Sequence, residues 1–247
     1  MVDSVLKNRC FAGISEIKAV CFDFGDTLVR YKPSREVLFR RAAAHVGVGL
    51  SDKAVKRAYD IVDSAVSYSS VRLKSRSERE RYYCDFNRRL CLVLGIESEF
   101  KNIYESVKMT FRERGCWQLA PGVRYALNLI SQAGVEMALI ANWDKSLEML
   151  VASLGIREYF RVLISSEQAG VDKPSAKIFK IALMSLGLED DASEVVYVGN
   201  DYRADIVGAR TAGLIPVLLD EQGKYPHADC PRVANLRQAA ILLTGFK

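Results

Sequence analysis

The chain has 247 residues, of which 49% are hydrophobic, 26% charged and 9% aromatic, with a formal net charge of +5. These proportions are typical of a globular protein with a sizeable core, and they exclude the disordered, collagen-like and coiled-coil classes. No apolar run approaches the roughly 18 to 20 residues that span a bilayer, and charges interrupt the N-terminal segment. We therefore expect a cytoplasmic protein without a membrane partner.

The numbers of cysteines and histidines and the net charge further restrict the kinds of site that the chain can contain. The six cysteines form no CxxC pair, so we expect reduced thiols and no zinc site, and the two histidines leave little scope for imidazole chemistry. The net charge favours anionic ligands in general but is too small to indicate a nucleic-acid partner. Basic residues between positions 72 and 81 are interleaved with glutamates and are interpreted as a solvated helix face, with anion attraction as the weaker reading. Nothing in the sequence indicates an oligomeric state.

Short apolar runs predict five buried strands, because none of them shows the polar alternation of a half-exposed sheet. They lie at residues 17–24, 135–143, 161–167, 194–200 and 214–220. Between them, helical spacing opened by proline or a capping residue and closed by glycine predicts helices at residues 122–133, 145–154, 175–186 and 203–212. This alternation predicts an α/β core with a doubly wound parallel sheet.

The stretch after the first strand breaks this alternation. Amphipathic patterns at residues 36–46, 52–68, 78–94 and 99–112 predict a helical insert instead. We therefore expect an α/β core of residues 1–31 and 117–247, with a helical cap domain of residues 32–116. Because the insert leaves and re-enters the core near the end of the first strand, we expect it over the carboxyl edge of the sheet, where open α/β sheets bind ligands.

Polar residues follow four of the predicted strands. Asp23 ends the first strand and can act as a covalent nucleophile, while the other strand ends carry Asn142, Lys173 and an acidic cluster at residues 200–205. Each residue alone has a simpler explanation, such as a helix cap, a surface lysine or a charge that favours a helix N-terminus. Their convergence predicts a magnesium site beside a lysine and an amide that neutralise a phosphoryl group.

With these motifs the sequence resembles the haloacid dehalogenase superfamily of hydrolases, in the subgroup with a helical cap between the first and second motifs. The resemblance covers about residues 17–219 and is carried by the segments 23–28 (DFGDTL), 141–142 (AN), 173–174 (KP) and 199–205 (GNDYRAD). The segments 120–123 (APGV) and 205–213 (DIVGARTAG) add to it. The resemblance implies a Rossmann-like core with a helical cap, Mg²⁺ as cofactor and a small anionic substrate.

The resemblance also implies roles for individual residues. Asp23 would form an aspartyl-phosphate, Asn142 would contact the transferring group, and Lys173 would screen the charge between nucleophile and substrate. The candidate catalytic residues are Asp23, Asp26, Thr27, Asn142 and Lys173. The candidate metal ligands are Asp23, the carbonyl of Gly25, Asn200, Asp201 and Asp205.

Three positions depart from the family pattern. Gly25 stands where family phosphatases have a second aspartate as general acid and base, Ala141 replaces a serine or threonine, and Asn200 replaces an aspartate. General acid and base help contributes about 10² to 10⁴ in rate, so losing it would weaken ester hydrolysis. Our hypothesis is that Asp26 partly substitutes, and either Asn200 or Asp201 ligates the metal.

The leading interpretation is a Mg²⁺-dependent phosphatase of a small phosphorylated metabolite. One alternative is a metal-free 2-haloacid dehalogenase-type hydrolase, which would need an arginine such as Arg35, Arg40 or Arg41 over the halide or carboxylate. Another is a protein that keeps the fold with little or no turnover and has a binding role.

Overall fold

The computed structural model describes residues 16–65, 76–111 and 116–245 of the chain. The chain divides into two units, one made of Met1–Val29 with Leu119–Lys247 and the other of Arg30–Gln118. The end of the predicted helix 52–68, residue 112 of the helix 99–112 and part of the basic run 72–81 lie outside the described residues.

The described residues contain eight strands. In chain order these are β1 (Ala19–Phe22), β2 (Val29–Tyr31), β3 (Trp117–Leu119), β4 (Glu136–Ala141), β5 (Val162–Ser165), β6 (Val195–Gly199), β7 (Ile215–Leu219) and β8 (Arg232–Val233). Six of them form one sheet in the order β5-β4-β1-β6-β7-β8, and every neighbouring pair is parallel. β2 and β3 pair separately, where the chain passes between the two units.

The second unit is helical. Its helices are α1 (Arg35–His45), α2 (Asp52–Ala65), α3 (Arg76–Val93) and α4 (Phe100–Thr110), with a 3-10 turn at Glu97–Glu99. One face of each helix contributes to a core of its own, which includes Phe39, Tyr59, Leu90 and Ile103. Burial of these apolar side chains is what holds the helices in place, since most of the stability of a helix in a protein comes from packing of its apolar face.

The helices of the first unit flank the sheet. They are α5 (Val123–Gln132), α6 (Leu147–Ser153), α7 (Ser166–Ala169), α8 (Ala176–Leu186), α9 (Gly208–Thr211) and α10 (Leu236–Thr244). Every residue of β1 and β6 is buried, as expected for central strands covered on both faces. The predicted fold class, a doubly wound Rossmann-like α/β core, is confirmed.

The structure differs from the prediction in several elements. The helix predicted at residues 203–212 begins as a π-helical segment, Tyr202–Val207, before α9. The helix predicted from residue 145 begins at Leu147, because Asp144 accepts hydrogen bonds from the N–H and hydroxyl of Ser146 and holds a turn there. β8 and α10 were not predicted at all. Within the described part of the chain, no helix combines the length and apolarity required to cross a membrane.

Candidate active site

Asp23 lies directly after β1, the strand between β4 and β6 at the middle of the sheet. Its backbone N–H donates to the carbonyl of Val198, which continues the ladder between β1 and β6 by one residue. The side chain is buried, and its Oδ1 accepts a hydrogen bond of 2.6 Å from the Nζ of Lys173. Burial raises the pKa of the Asp23 carboxyl to about 6, against the opposing effect of the Lys173 ammonium.

A tight loop follows Asp23. The backbone N–H groups of Leu28 and Val29 both donate to the carbonyl of Phe24, at 2.9 and 3.0 Å. Asp26 has a left-handed backbone with φ of 58°, its N–H donates to the carbonyl of Val29, and its side chain is exposed. Aspartate is one of the few residues with a side chain that adopts this conformation readily.

Thr27 connects this loop to the end of β6. Its side chain is fully buried, and its hydroxyl donates to Oδ1 of Asn200 over 3.1 Å. Thr27 and Asn200, predicted as a catalytic residue and a metal ligand, are therefore direct neighbours.

Asn142, the first residue after β4, holds the backbone of Lys173. Its Oδ1 accepts from the N–H of Lys173 at 2.8 Å, and its Nδ2 donates to the carbonyl of Lys173 at 3.2 Å. A side-chain amide matches the donor and acceptor of a peptide unit, so this pairing fixes the loop that carries Lys173. The sequence did not predict this contact.

The Lys173 ammonium is buried among three oxygen acceptors. Besides Asp23 it donates to Oδ1 of Asp205 at 2.7 Å and to the hydroxyl of Tyr197 at 2.8 Å. Burial lowers the pKa of Lys173, but the carboxylates of Asp205 and Asp23 outweigh it and raise the pKa to about 12. The group therefore stays charged in the interior because opposite charges surround it.

Asp205 reaches this cluster because the chain has no side chain at Gly199. A Cβ at residue 199 would lie 2.6 Å from the Cβ of Asp205. Both carboxylate oxygens of Asp205 accept hydrogen bonds, Oδ1 from Lys173 and Tyr197 and Oδ2 from the backbone N–H of Asp201. Its position is therefore fixed from two sides.

Asp201 caps the π-helical segment that follows β6. Its Oδ1 accepts from the N–H groups of Arg203 and Ala204 at 2.8 and 2.7 Å. Burial is the main effect on the pKa of this carboxyl and raises it.

The groups at this edge of the sheet that could bind a metal ion do so through oxygen atoms. The carboxylates of Asp23 and Asp201, the amide oxygen of Asn200 and the carbonyl of Gly25 are hard ligands of the kind that Mg²⁺ prefers. Within the described residues, no group of three or more histidine, cysteine, aspartate or glutamate side chains is arranged to hold a metal ion. A magnesium site here would therefore depend on the amide and the carbonyl as well as on carboxylates.

Tyr197 also belongs to the site, although no sequence pattern predicted it. It lies inside the apolar run that predicted β6, with its side chain fully buried. The available signal was a phenol group in an otherwise aliphatic strand, because a buried tyrosine hydroxyl usually has a hydrogen-bond partner.

A family model, related sequences and solved structures agree with one another on what this chain resembles. A family model described as haloacid dehalogenase-like hydrolase matches residues 17–213. Haloacid dehalogenase-like hydrolase domain-containing protein 3 of Homo sapiens is 28% identical over 204 residues, covering 81% of this chain and 80% of that protein. Glyceraldehyde 3-phosphate phosphatase of Methanopyrus kandleri is 29% identical over 218 residues, covering 85% and 86%. The solved structure of a putative HAD-hydrolase of Bacillus subtilis bound to magnesium shares the fold, with a TM-score of 0.69, 16% identity and coverage of 92% and 99%.

Proposed function

Because the chain belongs to the haloacid dehalogenase-like hydrolase family, we propose that it is a Mg²⁺-dependent phosphatase of a small phosphorylated metabolite. The observation that carries the proposal is the buried contact between the Lys173 ammonium and the Asp23 carboxylate at the end of the central strand. Burying an ion pair costs free energy unless its hydrogen bonds are satisfied, so such a pair at the carboxyl edge of a parallel sheet favours a functional role. The similarity to glyceraldehyde 3-phosphate phosphatase supports a small phosphorylated substrate.

Asp23 is the proposed nucleophile. Its Oδ1 is held by Lys173, so Oδ2 would attack the phosphorus atom. The new bond joins Oδ2 to phosphorus, and the bond from phosphorus to the leaving oxygen breaks. Water then attacks the phosphorus of the aspartyl-phosphate, which releases inorganic phosphate and restores the carboxylate.

The proposed ligands of Mg²⁺ are Asp23, the carbonyl of Gly25, Asn200 and Asp201. When bound, the ion would neutralise charge on the phosphoryl oxygens. Asp205, whose two oxygens already accept hydrogen bonds, would have to exchange one of them to become a ligand. Its more direct contribution is to hold Lys173 and the backbone of Asp201.

Proton transfer to the leaving group is assigned to Asp26. Gly25 has no carboxyl group, and Asp26 is the next residue, with an exposed side chain on the loop after the nucleophile. General acid and base help is worth a factor of about 10² to 10⁴ in rate, and Asp26 is expected to replace the missing aspartate only in part. We therefore expect Asp26→Asn to lower turnover by about 10-fold or more.

The dehalogenase alternative has less support. It needs an arginine available to a substrate carboxylate, but Arg35 donates from two nitrogens to the two oxygens of Asp63. Arg40 forms an ion pair of 2.6 Å with Asp52. Two of the three candidate guanidinium groups thus already have carboxylate partners within the helical unit.

The deciding experiment measures phosphate release from p-nitrophenyl phosphate and from glyceraldehyde 3-phosphate, with Mg²⁺ and with a chelator. It compares the wild type with Asp23→Asn, Asp26→Asn and, as a matched control, Asp190→Asn at an exposed position. We expect metal-dependent turnover in the wild type and the control, and none in Asp23→Asn. Equal rates in the wild type and Asp23→Asn, with both proteins folded, would overturn the phosphatase proposal. Unchanged turnover in Asp26→Asn would overturn the role of Asp26 alone.

A further inference from the structure

The hydroxyl of Tyr197 links the Lys173 ammonium to two further groups. It accepts a hydrogen bond from Lys173 at 2.8 Å and lies 3.1 Å from both Oδ1 of Asp205 and the carbonyl of Ile140. The hydroxyl can donate its proton to one of these two acceptors at a time. It thereby connects β6, β4 and the loop that carries Lys173 through one oxygen atom.

This hydroxyl is the third acceptor of the ammonium. An ammonium group has three N–H donors, and the contacts of Lys173 to Asp23, Asp205 and Tyr197 are 2.6, 2.7 and 2.8 Å long. The three contacts use all three donors. Tyr197 supplies its contact without adding a negative charge beside the Asp23 carboxylate.

The packing around the ring keeps the hydroxyl in place. Tyr197 pairs in register with Cys21 of β1 and belongs to a buried cluster with the small side chains Ala19 and Ala138. These small neighbours leave room for a ring on the face of a central strand. Phe179 of α8 packs edge-on against it, with 5.0 Å between ring centroids. A ring buried in this way has little freedom to shift its hydroxyl.

We propose that Tyr197 is a positioning residue, which fixes the Lys173 ammonium between Asp23 and Asp205 and so orients the nucleophile. The proposal rests on the phosphatase function proposed above. Without the hydroxyl, one N–H of the buried ammonium lacks an acceptor, and the lysine turns toward its two carboxylates. The Asp23 carboxylate that it holds then shifts with it.

The first test is a kinetic comparison of Tyr197→Phe with the wild type on p-nitrophenyl phosphate with Mg²⁺. A shift of the nucleophile acts on the chemical step, so we expect kcat to fall by about 10- to 100-fold. KM should stay within about twofold, because Tyr197 is fully buried and its hydroxyl contacts only groups of the protein. The matched control is Tyr159→Phe, which removes a hydroxyl that donates to Asn128 on the surface of the same unit and should leave kcat unchanged.

The second test does not depend on activity. The ammonium protons of Lys173 should exchange slowly with water and give a ¹⁵N–¹H signal, which Lys173→Arg identifies by its absence. A purely structural role for Tyr197 would lower stability but leave this signal in the folded protein. We expect the signal to be lost in Tyr197→Phe and retained in Tyr159→Phe.

The outcomes separate this proposal from the phosphatase proposal. A folded Tyr197→Phe with wild-type kcat and a retained Lys173 signal would overturn the role of Tyr197. If the wild type has no more turnover than Asp23→Asn, the phosphatase function fails and the exchange signal alone decides on Tyr197. If Tyr197→Phe does not fold, the hydroxyl is required for the fold itself, and the positioning role is overturned.

Discussion

Gly199 shows how the size of one residue sets the geometry of the candidate site. It ends β6, and its backbone is ordinary for a strand, since its φ does not lie in the left-handed region. The constraint on this position is space: a Cβ at residue 199 would lie 2.4 Å from the carboxylate carbon of Asp205. From there Asp205 reaches Lys173 and the N–H of Asp201.

Replacing Gly199 with alanine should displace Asp205. We expect Gly199→Ala to lower the free energy of unfolding by about 1 to 3 kcal/mol, as overpacking of a dense core does. Urea denaturation followed by circular dichroism measures the change. Gly49→Ala is the control, because a Cβ there has no neighbour within 4 Å and the backbone is not left-handed. Equal stabilities of the two variants would show that Asp205 moves aside without penalty.

At the scale of elements, the strands of the core were predictable because a buried parallel strand is a continuous apolar run. The residues at which the strands begin and end were harder to predict. Residue 18 fell inside the first predicted strand, yet β1 begins at Ala19 and the Lys18 side chain pairs with Asp191 and Glu194. β8 has only two residues, too few to give a pattern. The residues of α10 do have helical apolar spacing after the cap Asn235, so this helix could have been found.

The partners within the site could not be read from the sequence. Strand ends predicted which side chains meet at the carboxyl edge, but hydrogen bonds between them join residues far apart in the chain. Thr27 is 173 positions from Asn200, and Lys173 is 150 positions from Asp23. The hydrogen-bond partners depend on loop conformations such as the left-handed backbone of Asp26 and the π-helical turn after Asp201. These conformations produce no periodic pattern in the sequence from which they could be predicted.

Helix α3 of the second unit offers a matched pair of leucines. Leu90 is fully buried in the core of that unit, while Leu92 on the same helix is 61% exposed. We expect Leu90→Ala to lower the free energy of unfolding by about 2 to 5 kcal/mol, from lost burial and the cavity left behind. Leu92→Ala should change it by less than about 0.5 kcal/mol. Chemical denaturation of the whole chain tests both, and similar values for the two would contradict the orientation of α3.

At the scale of the whole molecule, the chain buries charge at one edge of its sheet. Asp23, Lys173 and Asp205 share one cluster, and Asp220 follows β7 at the same edge. Each is compensated by opposite charge or by hydrogen-bond donors, the condition under which buried charges are tolerated. The Asp220 carboxylate organises the connection between β7 and β8, which gives it a structural role separate from the candidate site.

Asp220 should make the stability of the molecule depend on pH. Its Oδ1 accepts from the N–H of Lys224, and its Oδ2 accepts from the N–H of Tyr225 and from Arg232. Burial raises the pKa of Asp220, but the two backbone N–H groups and Arg232 outweigh it and hold the pKa below its usual range. Because the pKa of Asp220 is lower in the folded state, the unfolded chain binds the proton at a higher pH than the folded protein does. The stabilisation is therefore complete above the unfolded pKa near 4 and is lost as the pH falls through the folded value.

The measurement compares urea denaturation of the wild type and Asp220→Asn from pH 7 to pH 3. We expect the wild type to be more stable by about 1 to 3 kcal/mol at pH 7, the usual range for hydrogen bonds to a buried charge. The difference should persist to about pH 5 and shrink as the pH falls below about 4, because the unfolded wild-type chain then binds a proton that the folded Asp220 carboxylate resists. Asp190→Asn controls for the loss of one aspartate charge at an exposed position. A difference between wild type and Asp220→Asn that stays constant down to pH 3 would show that the amide loses something other than charge, and the ionic role of Asp220 would be wrong.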